Sequence, residues 1–128
     1  MKKLELWEKS FSYIFSTSEI SDIILDKEKK VFQVIIYDCP LIELFLKEKF
    51  KYNSIVFYAQ GWDSVSITLC NEEKDEIKEI DTVEKTKLLI LNREEPQKTI
   101  FWGPIRNNEN RIKISFINLQ SYAFYEME

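Results

Sequence analysis

The chain has no histidine, and only two glycines, three prolines and two cysteines in 128 residues. Without an imidazole it lacks the side chain whose unperturbed titration lies closest to neutral pH. That excludes Ser-His-Asp and Cys-His nucleophile systems and histidine-based zinc sites within the chain. Cys39 and Cys70 are too few for a four-thiolate site. Gly61 and Gly103 stand apart from one another, so no glycine-rich loop is available to cradle a phosphate. Scarce Gly and Pro also leave little material for flexible linkers, and no internal repeat or low-complexity segment interrupts the pattern. One domain spanning residues 1–128 is the expectation at this length.

Long apolar runs are missing too. No stretch is long enough to span a bilayer as a helix. The amino terminus opens with Lys2 and Lys3, but Glu5 and Glu8 fall where the apolar core of a secretory signal would stand. Cytoplasmic residence is therefore expected. In that setting Cys39 and Cys70 read as buried free thiols. Basic excess is absent as well: 18 Lys and Arg against 22 Asp and Glu give a net charge of −4. Binding to nucleic acid through counterion displacement needs a basic surface, so it is not expected.

Aromatic residues, by contrast, are plentiful: nine Phe, six Tyr and three Trp. Their large contact areas can close a core without disulfides or a structural metal. Leu4, Trp7, Phe11 and Ile14 recur at helical spacing and predict a helix over residues 3–15, ended by Ser16-Thr17-Ser18. Residues 20–26 and 31–38 are rich in β-branched side chains and flank the charged run Asp26–Lys30, which reads as a hairpin loop. Residues 41–52 fit a helix opened at Pro40, although Ile42, Leu44 and Leu46 also alternate as a strand would. Strands are expected at 54–59 and at 64–70, where Val65, Ile67 and Leu69 alternate with polar residues. Ile77, Ile80 and Val83 allow either a short amphipathic helix or a long exposed loop between 71 and 87.

The last third reads as strands at 87–92, 98–106 and 111–119, with turns at 93–97 and 107–110. A β-bulge near Phe116 would explain why Ile117 and Leu119 break the alternation of Ile112, Ile114 and Phe116. A final strand holds Tyr122, Phe124 and Tyr125. The expected fold class is α+β: an antiparallel β-sheet meander with an N-terminal helix and one or two further short helices.

Carboxylates are the chemistry that remains. Glycosidases and magnesium-dependent enzymes need only Asp and Glu. Residues 71–87 hold seven acids, among them Glu72, Glu73, Asp75, Glu76 and Glu79. Lysines lie between them and no glycine shapes a metal loop, so a solvated acidic face is the favoured reading. No catalytic residue, metal or cofactor is expected. Trp62 and Trp102 each adjoin a glycine. They are read either as aromatic anchors of a binding surface or as core residues at strand ends. The lysines of 27–30 and 47–51, with Phe50 and Tyr52 nearby, read as solvated surface because Glu28 and Glu48 dilute them.

An opening aromatic helix leads into Glu19-Ile20-Ser21-Asp22-Ile23, followed by an apolar hairpin ending Ile36-Tyr37-Asp38. A Ser-Ile-Val-Phe strand precedes Trp62, and the last part reads Ile-Ser-Phe-Ile-Asn-Leu-Gln-Ser-Tyr. In this order of features the chain resembles the small α+β immunity proteins of bacterial polymorphic-toxin systems. The resemblance implies neutralisation of a partner toxin by tight binding, with no chemistry of its own. The partner would be a protein, such as a basic nuclease, met by Glu72, Glu73, Asp75, Glu76 and Glu79, with Trp62 as the aromatic candidate. Two other readings stand beside it. One is a phage or mobile-element accessory protein that blocks a host protein. The other is a carboxylate-dependent enzyme.

Overall fold

A computed structural model describes residues 2–6, 9–37, 54–81, 90–95, 97–104 and 110–127. Ten strands and one helix lie among them: β1 (Lys2–Lys3), α1 (Lys9–Thr17), β2 (Glu19–Asp26), β3 (Val31–Tyr37), β4 (Ser54–Gln60), β5 (Ser64–Cys70), β6 (Glu76–Glu79), β7 (Ile90–Glu95), β8 (Lys98–Pro104), β9 (Arg111–Ile117) and β10 (Ser121–Glu126). They form two antiparallel five-stranded sheets, ordered β1-β10-β4-β3-β2 and β6-β5-β9-β8-β7. The meander holds in two runs, β2-β3-β4 and β7-β8-β9. It is interrupted where β10 joins β4 and β5 joins β9.

Those two junctions are one structure. Gln60 faces Ser121 in the first sheet and Ser64 faces Ile117 in the second, so each strand crosses between the sheets over the same number of residues. The ribbon β4-β5 against β10-β9 thus bends as a unit without losing register. Gly61 takes φ 76° at the bend and Asn118 takes φ 55°, both left-handed conformations that glycine and asparagine tolerate best. The backbone groups freed by the bend find partners. Gln120 N–H donates to Gly61 O at 2.8 Å, Gly61 N–H to Lys30 O at 2.9 Å, and Asp63 N–H to Ile117 O at 2.9 Å. Lys30 Nζ donates to Trp62 O at 2.9 Å, and Asn118 Nδ2 donates to Asp63 Oδ2 at 2.6 Å.

This bend tolerates little change at Gly61. A Cβ there would lie 2.5 Å from Gln120 Oε1 and 2.9 Å from its Cδ. Gly61→Ala should therefore lower stability by about 1–2 kcal/mol, the usual cost of a left-handed L-residue. Adding Gln120→Ala removes the two closest contacts, leaving the residue-120 Cβ at 3.2 Å and the backbone strain. Urea unfolding of both variants should recover only part of the loss in the double variant. A Gly61→Ala protein as stable as the wild type would contradict the bend geometry.

The core lies between the sheets. Phe32, Val34, Ile36, Ile55, Phe57, Ala59 and Phe124 face inward from one sheet, and Ile67, Phe101, Ile112, Ile114 and Phe116 from the other. Helix α1 closes the core with Phe11, Ile14 and Phe15, one stripe at the spacing of a helix face. Phe15 meets Phe57 at 5.0 Å and Phe101 at 5.4 Å between ring centroids, so a single side chain touches both sheets.

Several expectations are corrected. The helix starts at Lys9, not residue 3, because Lys2 and Lys3 pair with Glu126 and Tyr125 and Leu4 N–H donates to Phe124 O. Leu4 reaches the core from an extended segment, and Trp7 lies outside the described residues. Residues 76–79 are neither helix nor loop but strand β6, paired to β5. The phase break after Phe116 is not a bulge, since β9 pairs in unbroken register with β5 and β8. It comes from Asn118, which turns the chain so that Leu119 packs on the core. Strand β7 runs to Glu95 rather than turning at 93, with Glu95 opposite Lys98. Residues 41–52, Cys39 and Val83 lie outside the described residues. Among the described residues α1 is the one helix, and no helix is long and apolar enough to cross a membrane.

Candidate functional site

The acidic segment stands on the β5-β6 hairpin at the edge of the second sheet. Its turn is built by Asn71. The Asn71 Oδ1 accepts from the N–H groups of Glu73 at 3.0 Å and Asp75 at 2.9 Å. Lys74 N–H donates to Asn71 O at 3.0 Å and Asn71 N–H to Asp75 O at 2.9 Å. Lys74 sits at φ 69°, the left-handed residue that follows a tight turn in a three-residue hairpin loop. An asparagine that bonds its own backbone is the ordinary chemistry of such turns. The turn is thus fixed by hydrogen bonds, although every residue from Glu72 to Glu79 is exposed.

Pairing then sorts the acids. Glu76 lies opposite Cys70 and Glu79 opposite Thr68, so both share the outward face of the sheet with those residues. Lys78 lies opposite Leu69, and the register shift between Leu69 and Cys70 leaves Ile77 as the extra residue, 52% exposed. Glu72, Glu73 and Asp75 occupy the turn. Five carboxylates and two lysines, Lys74 and Lys78, therefore project from one short hairpin.

A supporting layer lies beneath. Lys113 Nζ reaches Glu76 Oε1 at 3.3 Å and sits 5.3 Å from the centre of the Trp102 ring. Lys74 Nζ lies 5.5 Å from the same ring. Trp102, Ile100 and Cys70 form a small buried apolar cluster on this outward side. Two cations over one indole hold the hairpin against the sheet. Sequence reasoning treated Trp102 as a companion of Trp62 and missed Asn71, Lys74 and Lys113. The signal for Asn71 was present, an asparagine directly before the charged run. The meeting of Lys113 with Trp102 depends on cross-strand register, which the sequence does not display.

Trp62 falls elsewhere. It is 2% exposed and packs on Phe116 at 4.9 Å between ring centroids, with its carbonyl holding Lys30 Nζ. Its ring offers no surface to a partner in this structure, whereas Glu72, Glu73, Asp75, Glu76 and Glu79 are brought together and exposed.

What the arrangement can do follows from its shape. Among the described residues no three carboxylates or thiols gather where they could hold a metal ion. Exposed acids on a rigid projection create a directed negative field, which steers a basic partner and sets its orientation.

Cys70 is a buried free thiol, with no accessible surface. Burial pushes its pKa above the ordinary thiol value; Lys113 opposes the shift, while Glu76 and Asp75 add to it. A raised folded-state pKa favours the protonated thiol. Its contribution to stability is full below the unfolded value, about 8.5, and is lost as pH rises through the folded value. Stability of the wild type should therefore fall more steeply above pH ~8.5 than that of Cys70→Ala, measured by chemical unfolding at each pH. Parallel alkaline limbs would contradict this.

Comparison with protein-family models, with curated proteins and with solved structures found no match.

Proposed function

We propose that this chain is a non-enzymatic, cytoplasmic protein-binding domain, an immunity-type inhibitor that neutralises a partner toxin by direct contact. The observation that carries the reading is the β5-β6 hairpin: Glu72, Glu73, Asp75, Glu76 and Glu79 are exposed together on it, and its turn is held by Asn71. A projection of this kind suits a basic protein, such as a nuclease, whose active surface attracts phosphate. Binding by shape and charge needs no proton carrier near neutral pH, in keeping with a chain that has no histidine. The resemblance of its sequence features to those of small α+β immunity proteins supports the same reading.

Affinity capture from the native cell, followed by mass spectrometry, tests it. A basic toxin encoded beside the chain should be recovered with the wild type and lost when Glu72, Glu73, Asp75 and Glu76 are all changed to Lys. Recovery of a phage-neighbourhood host factor instead would move the assignment to an accessory protein of a mobile element. Turnover of a small compound by the purified chain would replace both with an enzyme.

A further inference from the structure

From Glu72 to Glu79 every residue is charged except Ile77. That isoleucine is 52% exposed, ahead of Tyr13 at 45% and Ile24 at 43%, and so the barest large apolar side chain among the described residues. A single apolar residue on a surface is ordinary, but this one stands in an edge strand that is otherwise wholly charged. It is the extra residue of the β6 bulge, between Glu76 opposite Cys70 and Lys78 opposite Leu69. Nothing on β5 therefore faces it across the ladder, and its side chain has no cross-strand neighbour to lie against.

The hairpin holds this side chain in place. Asn71 fixes the turn, Lys113 Nζ reaches Glu76 Oε1 at 3.3 Å, and Lys74 Nζ lies 5.5 Å from the centre of the Trp102 ring. Isoleucine is itself stiff at χ1. Little freedom is left to lose when a partner covers it. The charges around it select the occupant. Five carboxylates against two lysines repel a second copy of the same hairpin. Strand addition fits no better, since β6 has four residues, is bulged and carries charge, three devices that blunt a sheet edge. Contact through side chains remains: an apolar centre inside an acidic rim, the layout of a binding hot spot.

We propose that Ile77 is the apolar anchor of the β5-β6 hairpin and enters an apolar pocket rimmed by lysine and arginine on a basic protein partner. The inference rests on the reading of this hairpin as the binding surface and separates two roles within it. The carboxylates draw the partner in and orient it. Ile77 loses its water only once the complex has formed, so it governs how long the complex lasts.

Site-directed photo-crosslinking in the native cell tests it, with a benzophenone side chain in place of Ile77 in one variant, of Glu73 in a second and of Ile24 in a third. The Ile77 and Glu73 positions should trap the same basic protein, and the Ile24 position, on the other sheet, should not. With that trapped protein purified as the probe, Ile77→Ala should speed its dissociation about tenfold and leave association nearly unchanged. Ile77→Val keeps most of the apolar area and should fall between. Urea unfolding of Ile77→Ala should match the wild type closely, because the shortened side chain is exposed. An adduct from the Glu73 position without one from Ile77 overturns the anchor and leaves the hairpin as the binding surface. No adduct from either overturns both. An adduct with a second copy of this chain or with an acidic protein overturns the proposal, as does equal trapping from the Ile24 position. So does a dissociation rate unmoved by Ile77→Ala.

Discussion

Replacing Phe57 with alanine should cost about 4 kcal/mol and lower the midpoint of thermal unfolding by on the order of 10 °C. Phe57 projects inward from β4, the middle strand of the first sheet, and is 1% exposed. Its ring lies within 5.0–6.4 Å of Phe15, Phe124, Phe101, Tyr122, Phe11 and Phe32, measured between centroids. Those six partners come from α1, from β3 and β10 beside it, and from β8 of the opposite sheet. Removing the ring therefore opens a cavity at the one place where both sheets and the helix meet. Transfer and cavity terms add, and each edge-to-face contact contributes up to about 1 kcal/mol more. Domains of this size are stable by roughly 5–15 kcal/mol, so a large share of the total is at stake. Phe57→Leu keeps much of the volume and should cost about 1–2 kcal/mol. Ile24→Ala, on the exposed outer face, should cost less than about 1 kcal/mol. A Phe57→Ala protein as stable as Ile24→Ala would place the centre of the core elsewhere.

Changing Glu72, Glu73, Asp75 and Glu76 together to lysine should slow association with the captured partner by roughly tenfold or more at low salt. All four side chains are exposed. Each reversal alters the field by two charges, and at physiological salt the effect decays over about 8 Å. The difference between wild type and variant should therefore shrink as salt is added. Dissociation should change less, because exposed rim charges act mainly on encounter. Folding should survive, since the turn is held by Asn71 and by backbone bonds rather than by the carboxylates. One contact is lost, Lys113 with Glu76, whose carboxylate side chain is 65% exposed, so the pair contributes little to stability. Association rates that match the wild type at low salt would remove the hairpin from the interface.

Period-two alternation made much of this architecture legible before any coordinates. Val65, Ile67 and Leu69 mark β5, and Ile112, Ile114 and Phe116 mark β9, because these residues turn one apolar face of each strand to the core, while the other face stays mostly polar even where Cys70 and Ser115 are buried on it. Where local pattern and long-range pairing disagree, pairing won. The spacing of Ile77 and Ile80 fits a short helix or an exposed loop, and only the ladder to β5 makes Glu76–Glu79 a strand. Lys2 and Lys3 carry no strand signal of their own and are drawn into one by the edge of β10. The phase break at Ile117 was visible, but a bulge and a bend leave the same trace in a sequence. The bend shows itself only through Asn118 and its bond to Asp63 across the ribbon. Of the candidate site, the acids were legible as charge. Trp62 was ambiguous because a glycine neighbour suits both an exposed and a buried ring.

Hydrogen exchange of the chain, free and then bound to its captured partner, tests the central claim most directly. Protection on binding should concentrate in Asn71–Ile80, where the free hairpin exchanges readily at a sheet edge. Protection confined to other segments, with Asn71–Ile80 exchanging as fast in the complex as alone, would contradict the assignment of that hairpin as the binding surface.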